Sequence, residues 1–277
     1  MIASIQVYSM DHALAQNDAS EVVQFLSNDE LSQDLYPSES QNTSSTKSIH
    51  TKRWREKVAS RSCLVRAVQR ISQEYSISDI LSNIDYKENG KPFFRELPID
   101  FSLSHSRGMV AAVAVQKVNH RAIGIDLEVD PRHSIESFAR VCTQEEWSEI
   151  QSMESPVARK SAFLRRWCAK EAYVKALGKG LGYGFKHLEV RRSPEHALEA
   201  NNGHSHAEAW TLTDKKQKSH PTHPIYTWEM DSATQDGTIC ISLAYAILST
   251  SSSPAQDPQS PVLEFLINDG QGLPDFK

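Results

Sequence analysis

Cysteine is scarce: Cys63, Cys142, Cys168 and Cys240 are the four in 277 residues, separated by 79, 26 and 72 positions. No Cys-x-x-Cys pair occurs, which speaks against a zinc site or a disulfide framework and favours a reducing compartment. Long apolar runs are missing too. The longest clean one, residues 109–115, falls far short of the roughly 18–20 residues that cross a bilayer, so no membrane partner is expected. The N-terminus has no basic region leading into an apolar core, so no secretory signal is expected either. Positive charge is not in excess: 30 Lys and Arg against 35 Asp and Glu give −5. That balance excludes a protein held on nucleic acid by bulk charge, while leaving room for a local basic patch. The expectation is a cytoplasmic protein. Its 39% hydrophobic and 23% charged residues are ordinary globular values, and the length suffices to bury a core without staples.

Along the chain, residues 2–8 read as a strand and 19–26 as a helix. Residues 36–46 are polar and Ser-rich, with little to bury, and read as a loop or a disordered insertion. From 51 to 75 the apolar residues Val58, Leu64, Val65, Val68 and Ile71 recur near the helical period, opposite a basic face that includes Arg53, Arg55, Lys57 and Arg61. Asn89-Gly90-Lys91-Pro92 is a turn signal. Residues 101–104 and 109–118 read as a hairpin, and 121–128 as a strand closed by Asp130-Pro131. Thr143-Gln144-Glu145-Glu146 is a capping box, and a helix should run from Pro156 to Leu177 and stop at Gly178. Strands are expected at 188–191, 207–212, 226–230 and 239–248, and a final one at 262–267 beyond a Ser/Pro/Gln-rich stretch, 249–260. Strands mixed with a few helices, without regular βαβ alternation, give the class α+β with antiparallel sheet. A weak echo between residues 101–114 and 241–247 suggests two similar halves meeting near 118–122.

Three clusters carry chemistry. Asp126 and Glu128 are two apart on a strand and share a face. A lone Asp-x-Glu is ordinarily a pair of exposed strand-end charges. Here Ile123, Ile125 and Leu127 indicate a buried strand, where paired carboxylates without a cation are expensive, and carboxylate oxygens are what Mg²⁺ takes. Trp167, Glu171 and Lys175 stand at i, i+4 and i+8 on one helix face. Any single Glu–Lys pair is ordinarily a surface contact, but a carboxylate with a phosphate-seeking ammonium also suits a Mg–diphosphate site. Lys170, about 100° round the helix from Glu171, is placed at the rim of the same site. His105, amid Ser102, Ser104 and Ser106 and before Arg107-Gly108, suits a turn that binds phosphate, although a lone His is more often packed or solvated. Cys168 reads as a buried helix residue. His187, His196, His204, His206, His220 and His223 show no sustained metal spacing and read as exposed loops.

Gly90-Lys91-Pro92, Phe101-Ser-Leu-Ser-His-Ser106, Ile123-Gly-Ile-Asp-Leu-Glu128, Arg166-Trp-Cys-Ala-Lys-Glu-Ala-Tyr-Val-Lys175 and Gly178-Lys-Gly-Leu181, in that order, resemble the 4′-phosphopantetheinyl transferases of the larger, Sfp-like type. The match runs from about Trp54 to Leu248, and residues 181–190 look closer to the eukaryotic broad-acceptor branch than to bacterial secondary-metabolism members. The resemblance implies two similar α+β halves related by pseudo-twofold symmetry in a monomer, with an N-terminal half at 1–118, a C-terminal half at 119–248 and a tail at 249–277. It implies transfer of the 4′-phosphopantetheine arm of coenzyme A to a serine of an acidic apo-carrier protein, releasing adenosine 3′,5′-bisphosphate. On this resemblance Asp126, Glu128 and Glu171 hold Mg²⁺, and Lys175 contacts the diphosphate. Lys91, Ser104 and His105 bind the adenosine 3′-phosphate end, and Arg61 and Ser62 belong to a coenzyme-A-binding stretch. The acceptor serine loses its proton to Glu171 or to a water on the metal. Acidic carriers call for a basic patch, with Arg165, Arg166, Lys170 and Lys179 as its expected members. The competing readings are a non-catalytic coenzyme A or nucleotide-binding module and a Mg-dependent phosphodiesterase.

Overall fold

The computed structural model describes residues 3–28, 44–117, 121–129, 139–193, 208–217, 222–234 and 237–249. The first part of the chain forms β1 (Ala3–Ser9), α1 (Met10–Ala15), α2 (Asn17–Asn28), α3 (Ser44–Ile71), α4 (Ile77–Ser82), β2 (Ile84–Tyr86), β3 (Pro92–Phe94), β4 (Ile99–Ser106) and β5 (Met109–Gln116). The second part forms β6 (Arg121–Val129), α5 (Gln144–Ser152), α6 (Pro156–Leu177), β7 (Leu188–Arg192), β8 (Glu208–Asp214), β9 (Thr222–Thr234) and β10 (Gly237–Ser249), with a single 3₁₀ turn at Leu181–Tyr183. The class is α+β, and every described strand pair is antiparallel.

In the first sheet the order is β1-β5-β4, and α3 packs across it. Val58, Leu64, Val65 and Val68 of α3 meet Phe101, Val110, Ala112 and Ala114 in one apolar core. The apolar run at 109–115 is thereby explained. Val110, Ala112 and Ala114 face α3, while Met109, Ala111, Val113 and Val115 are equally buried on the other face of β5. The β4–β5 hairpin turns on Arg107 and Gly108, whose φ values of 41° and 82° are the positive pair that a two-residue turn of matching twist needs.

In the second sheet the order is β6-β10-β9-β8-β7, and α6 packs on β6, β10 and β9. Strand, long helix and hairpin thus recur: β1, α3 and β4–β5 in the first part, β6, α6 and β9–β10 in the second, each with the first strand beside the last. Helix α6 starts as its sequence dictates. Ser155 accepts the Ala158 N–H at 3.4 Å, Pro156 opens the first turn, and Gly178 at φ 67° closes the last.

The capping box at Thr143 and Glu146 forms, and it does more than cap. Glu146 also accepts from Lys170 Nζ at 2.5 Å and from the Val190 N–H at 2.8 Å, tying α5, α6 and β7 together. Lys170 is 1% exposed, which corrects its expected place at the rim of the site. Arg166 is also buried, bonded to Glu149 and the Ala162 carbonyl, and Arg165 pairs with Glu208. Both guanidinium groups lie over the Trp210 ring. Of the expected patch only Lys179 is exposed, because α6 is covered on several sides and its cations serve the interior.

Other expectations are met or corrected element by element. The helix expected at 51–75 begins earlier, so Ser44–Thr46 belong to α3 and not to the Ser-rich loop. Cys168 is buried on α6 as expected. His187 and His223 are not exposed loop residues: burial lowers the pKa of each, and His223 packs against Tyr173 at 5.3 Å. The remainder of the Ser-rich stretch, the closure at Asp130-Pro131, His196, His204, His206, His220, residues 250–260 and the strand expected at 262–267 lie outside the described residues. Among the described residues no helix is long and apolar enough to cross a membrane.

Candidate active site

Strand β6 lies between the two parts of the chain. It pairs with β10 on one side, and its other edge faces β4 without a backbone ladder. Serine hydroxyls take the ladder's place. Ser102, Ser104 and Ser106 accept the N–H groups of Ile125, Leu127 and Val129 at 3.1, 3.1 and 3.2 Å. Gly124, Asp126 and Glu128 occupy the face of β6 that meets α6. The glycine is required there, since a Cβ would overlap the Ala172 carbonyl oxygen and come within 2.6 Å of Ala176 N. That close approach brings Glu171 and Lys175 over the strand.

Lys175 Nζ donates to Asp126 Oδ1 at 2.7 Å and to Ser104 Oγ at 2.9 Å, and Ser104 Oγ donates to the same carboxylate oxygen at 3.0 Å. Glu128 Oε1 accepts from Ser106 Oγ at 2.8 Å. Asp126 Oδ2 and Glu171 Oε1 are buried and have no hydrogen-bond partner among the described residues. Burial raises the Glu128 carboxyl, opposed by the Ser106 hydrogen bond and reinforced by the charge of Asp126. Burial, with the charges of Asp126 and Glu128 adding to it, pushes Glu171 up to about 7.

A cation therefore has somewhere to go. Among the described residues no three His, Cys, Asp or Glu side chains stand as a ready-made metal cluster. Three neighbouring carboxylates, two of them with a buried bare oxygen and with the charges of Asp126 and Glu128 felt at Glu171, are nonetheless a donor set that fits a hard divalent ion. The Lys175 ammonium also balances the charge of Asp126.

A cavity of about 660 Å³ opens beside these groups, between α3, β4 and the C-terminal half of α6. Arg53, Lys57 and Arg61 line it from α3, Lys91 from the β2–β3 turn, His105 from β4, and Glu171 and Lys175 from α6. Cations outnumber carboxylates there, as a phosphorylated ligand requires. Arg61 is buried, which lowers its pKa, and it donates to the Tyr86 hydroxyl at 2.5 Å. Lys91 Nζ donates to the carbonyls of Ile123 and Ala176 at 3.3 and 3.0 Å. Burial, with Lys87 adding to it, brings Lys91 down to about 8. Asn89 donates to the Gly178 carbonyl, so the β2–β3 turn is anchored to the end of α6.

The structure brings together Asp126, Glu128, Glu171 and Lys175, and it places Lys91, His105 and Arg61 around the cavity. Asp126 and Glu128 stand behind the cavity wall rather than in it, and two of the residues expected to bind coenzyme A are not in the wall either. Ser62 is fully buried one position beyond Arg61, facing the core side of α3. Ser104 is buried, with its hydroxyl engaged by Asp126, Lys175 and the Leu127 N–H. Arg55 is turned away and pairs with Asp11. Residue-by-residue motif reading missed Ser106 as the partner of Glu128. The period-two spacing of Ser102, Ser104 and Ser106 was the available signal.

The raised Glu171 pKa has a consequence for stability. Unfolded, this carboxyl loses its proton near 4.5; folded, it keeps it to about 7. Between those values the folded chain holds the extra proton, so stability falls as pH rises through the window. With a chelator present, urea unfolding at about pH 5 and about pH 8 should show the native chain losing more stability than Glu171→Gln. Equal pH dependence in both chains would contradict the shift.

Residues 122–226 match the family model of the 4′-phosphopantetheinyl transferase superfamily, which bears out the resemblance read from the sequence. The chain is 36% identical over 118 residues to the L-aminoadipate-semialdehyde dehydrogenase-phosphopantetheinyl transferase of Xenopus laevis, covering 38% of each protein. It is 34% identical over 137 residues to the 4′-phosphopantetheinyl transferase HetI of Nostoc, covering 47% of this chain and 54% of that one. It is 29% identical over 152 residues to the 4′-phosphopantetheinyl transferase Sfp of Bacillus subtilis, covering 54% and 64% respectively. The matches thus span about half the length of these relatives.

Proposed function

We propose that the chain transfers the 4′-phosphopantetheine arm of coenzyme A to a serine hydroxyl of an apo-carrier protein, releasing adenosine 3′,5′-bisphosphate. The observation that carries this reading is the meeting of Asp126, Glu128, Glu171 and Lys175 at the edge of a cation-lined cavity. The relatives are named for the group they transfer, phosphopantetheine. The two halves, 1–118 and 119–248, divide the work: the first contributes Arg61, Lys91 and His105, the second the carboxylates and Lys175. The protein acts as a monomer in the cytoplasm on an acidic carrier.

In the reaction the carrier serine oxygen forms a bond to the phosphorus that bears pantetheine. The bond from that phosphorus to the bridging oxygen breaks, and the negative charge passes to the adenosine bisphosphate. Lys91 and His105 bind the adenosine 3′-phosphate end, and Arg61 holds the nucleotide from α3. Lys175, released from Asp126, places its ammonium against the diphosphate, where the leaving charge develops. Glu171 lines the cavity, and its carboxylate takes the serine proton there. Asp126, Glu128 and Glu171 would hold Mg²⁺, which when bound neutralises diphosphate charge as a Lewis acid.

Incubation with coenzyme A, Mg²⁺ and a panel of apo-carriers should add one phosphopantetheine arm to the mass of at least one carrier. No gain on any carrier overturns the transferase reading, and cleavage of coenzyme A without an acceptor would point to a phosphodiesterase instead.

A further inference from the structure

A serine hydroxyl has one proton and two lone pairs. At Ser106 one lone pair is taken by the Val129 N–H at 3.2 Å, so the proton is turned off the edge of β6 and toward Glu128 Oε1, 2.8 Å away. Ser104 repeats the arrangement one strand period earlier, with Leu127 N–H as donor and Asp126 Oδ1 as acceptor. Ser102 is the third of the series, and its counterpart on β6 is Gly124, which has no carboxylate. Its described bond is the one it accepts from the Ile125 N–H. The series therefore separates two roles. All three hydroxyls satisfy the open edge of β6, and the two that stand beside carboxylates also orient them.

We propose that Ser106 is a positioning residue that fixes the Glu128 carboxylate for a divalent cation, with Ser104 doing the same for Asp126. This rests on the reading above that Asp126, Glu128 and Glu171 hold such an ion. Glu128 is only partly buried and has three rotatable side-chain bonds, so without a donor its carboxylate samples positions that do not converge with Asp126 and Glu171. Groups that orient a metal ligand typically change metal affinity or activity by about 10–100-fold when removed. Ser106 lies outside the wall of the cavity, so its effect on the ion is separate from contact with the nucleotide.

The test uses Mn²⁺ as the probe. Its free-ion electron paramagnetic resonance signal is followed during titration of the full chain in the presence of coenzyme A. Ser106→Ala should raise the Mn²⁺ Kd by about tenfold. Ser106→Thr and Ser106→Val form a volume-matched pair suited to a strand. Thr, which keeps the hydroxyl, should bind Mn²⁺ within roughly threefold of the native chain, and Val should bind about as weakly as Ala. Ser102 lines the cavity but stands beside no carboxylate, so at saturating coenzyme A Ser102→Ala should leave Mn²⁺ affinity unchanged. Native affinity in Ser106→Ala overturns the proposal, as does equal weakness of Thr and Val, loss of affinity in Ser102→Ala, or an unsubstituted chain that binds no Mn²⁺. The two readings fail separately. Carrier modification together with native Mn²⁺ affinity in Ser106→Ala removes the positioning role and keeps the transferase. Weakened Mn²⁺ binding in Ser106→Ala, in a chain that modifies no carrier, keeps the positioning role and removes the transferase.

Discussion

Asp126→Ala and Glu171→Ala should each lower turnover by roughly two to three orders of magnitude, the size seen when one preorganised electrostatic contact is removed at a reacting centre. Folding should survive both changes. Asp126 Oδ2 and Glu171 Oε1 have no partner among the described residues, and the two side chains repel each other. Removing either carboxylate therefore relieves repulsion while taking away a ligand. Near-UV circular dichroism and thermal unfolding check the fold, and carrier mass gain over time checks the rate. Native activity in either variant would contradict the metal assignment. The two variants differ in their effect on Lys175. Asp126→Ala frees an ammonium held at 2.7 Å, whereas Glu171→Ala leaves that pair intact.

Gly124→Ala should have the largest effect on stability. The added methyl group meets the Ala172 carbonyl oxygen and the Ala176 nitrogen, both backbone atoms of α6, so no flexible side chain can yield. Overpacking of this kind typically costs 1–3 kcal/mol and occasionally more; about 3 kcal/mol is expected here. For a chain of this size that lowers the unfolding temperature by roughly 6–12 °C. Activity should fall with it, because α6 carries Glu171 and Lys175. An unchanged Tm by calorimetry would show that α6 does not pack as closely on β6 as this geometry requires.

The fold was largely readable where local signals are strong. Ser155, Pro156 and Gly178 mark both ends of α6, and Thr143 with Glu146 marks the start of α5. The strands at 188–192, 208–214 and 237–249 carry β-branched and aromatic residues between polar loops, and their expected positions hold within a few residues. The site was readable as far as motifs name residue types: Asp126, Glu128, Glu171 and Lys175 do meet. What stayed hidden depends on where a helix face turns once it is packed. Lys170 and Arg166 look like surface cations in one dimension, and their burial follows only from Glu146, Glu149 and Trp210 arriving from distant segments. Ser104 looked like a ligand contact beside His105, but alternation along β4 sends the two side chains to opposite sides, His105 into the cavity and Ser104 into the seam.

The hydroxyls between β4 and β6 also bear on how the protein behaves among copies of itself. A strand whose N–H groups point outward is a template for another chain, and self-templating along such edges is a common route to aggregates. On β6 the N–H groups of Ile125, Leu127 and Val129 are already taken by side chains of the same molecule. A side chain interposed between two backbones also holds them farther apart than the ~4.8 Å of a ladder, so the sheets do not fuse. The cavity beside β6 can therefore stay open to solvent without offering a docking edge for fibrillar growth.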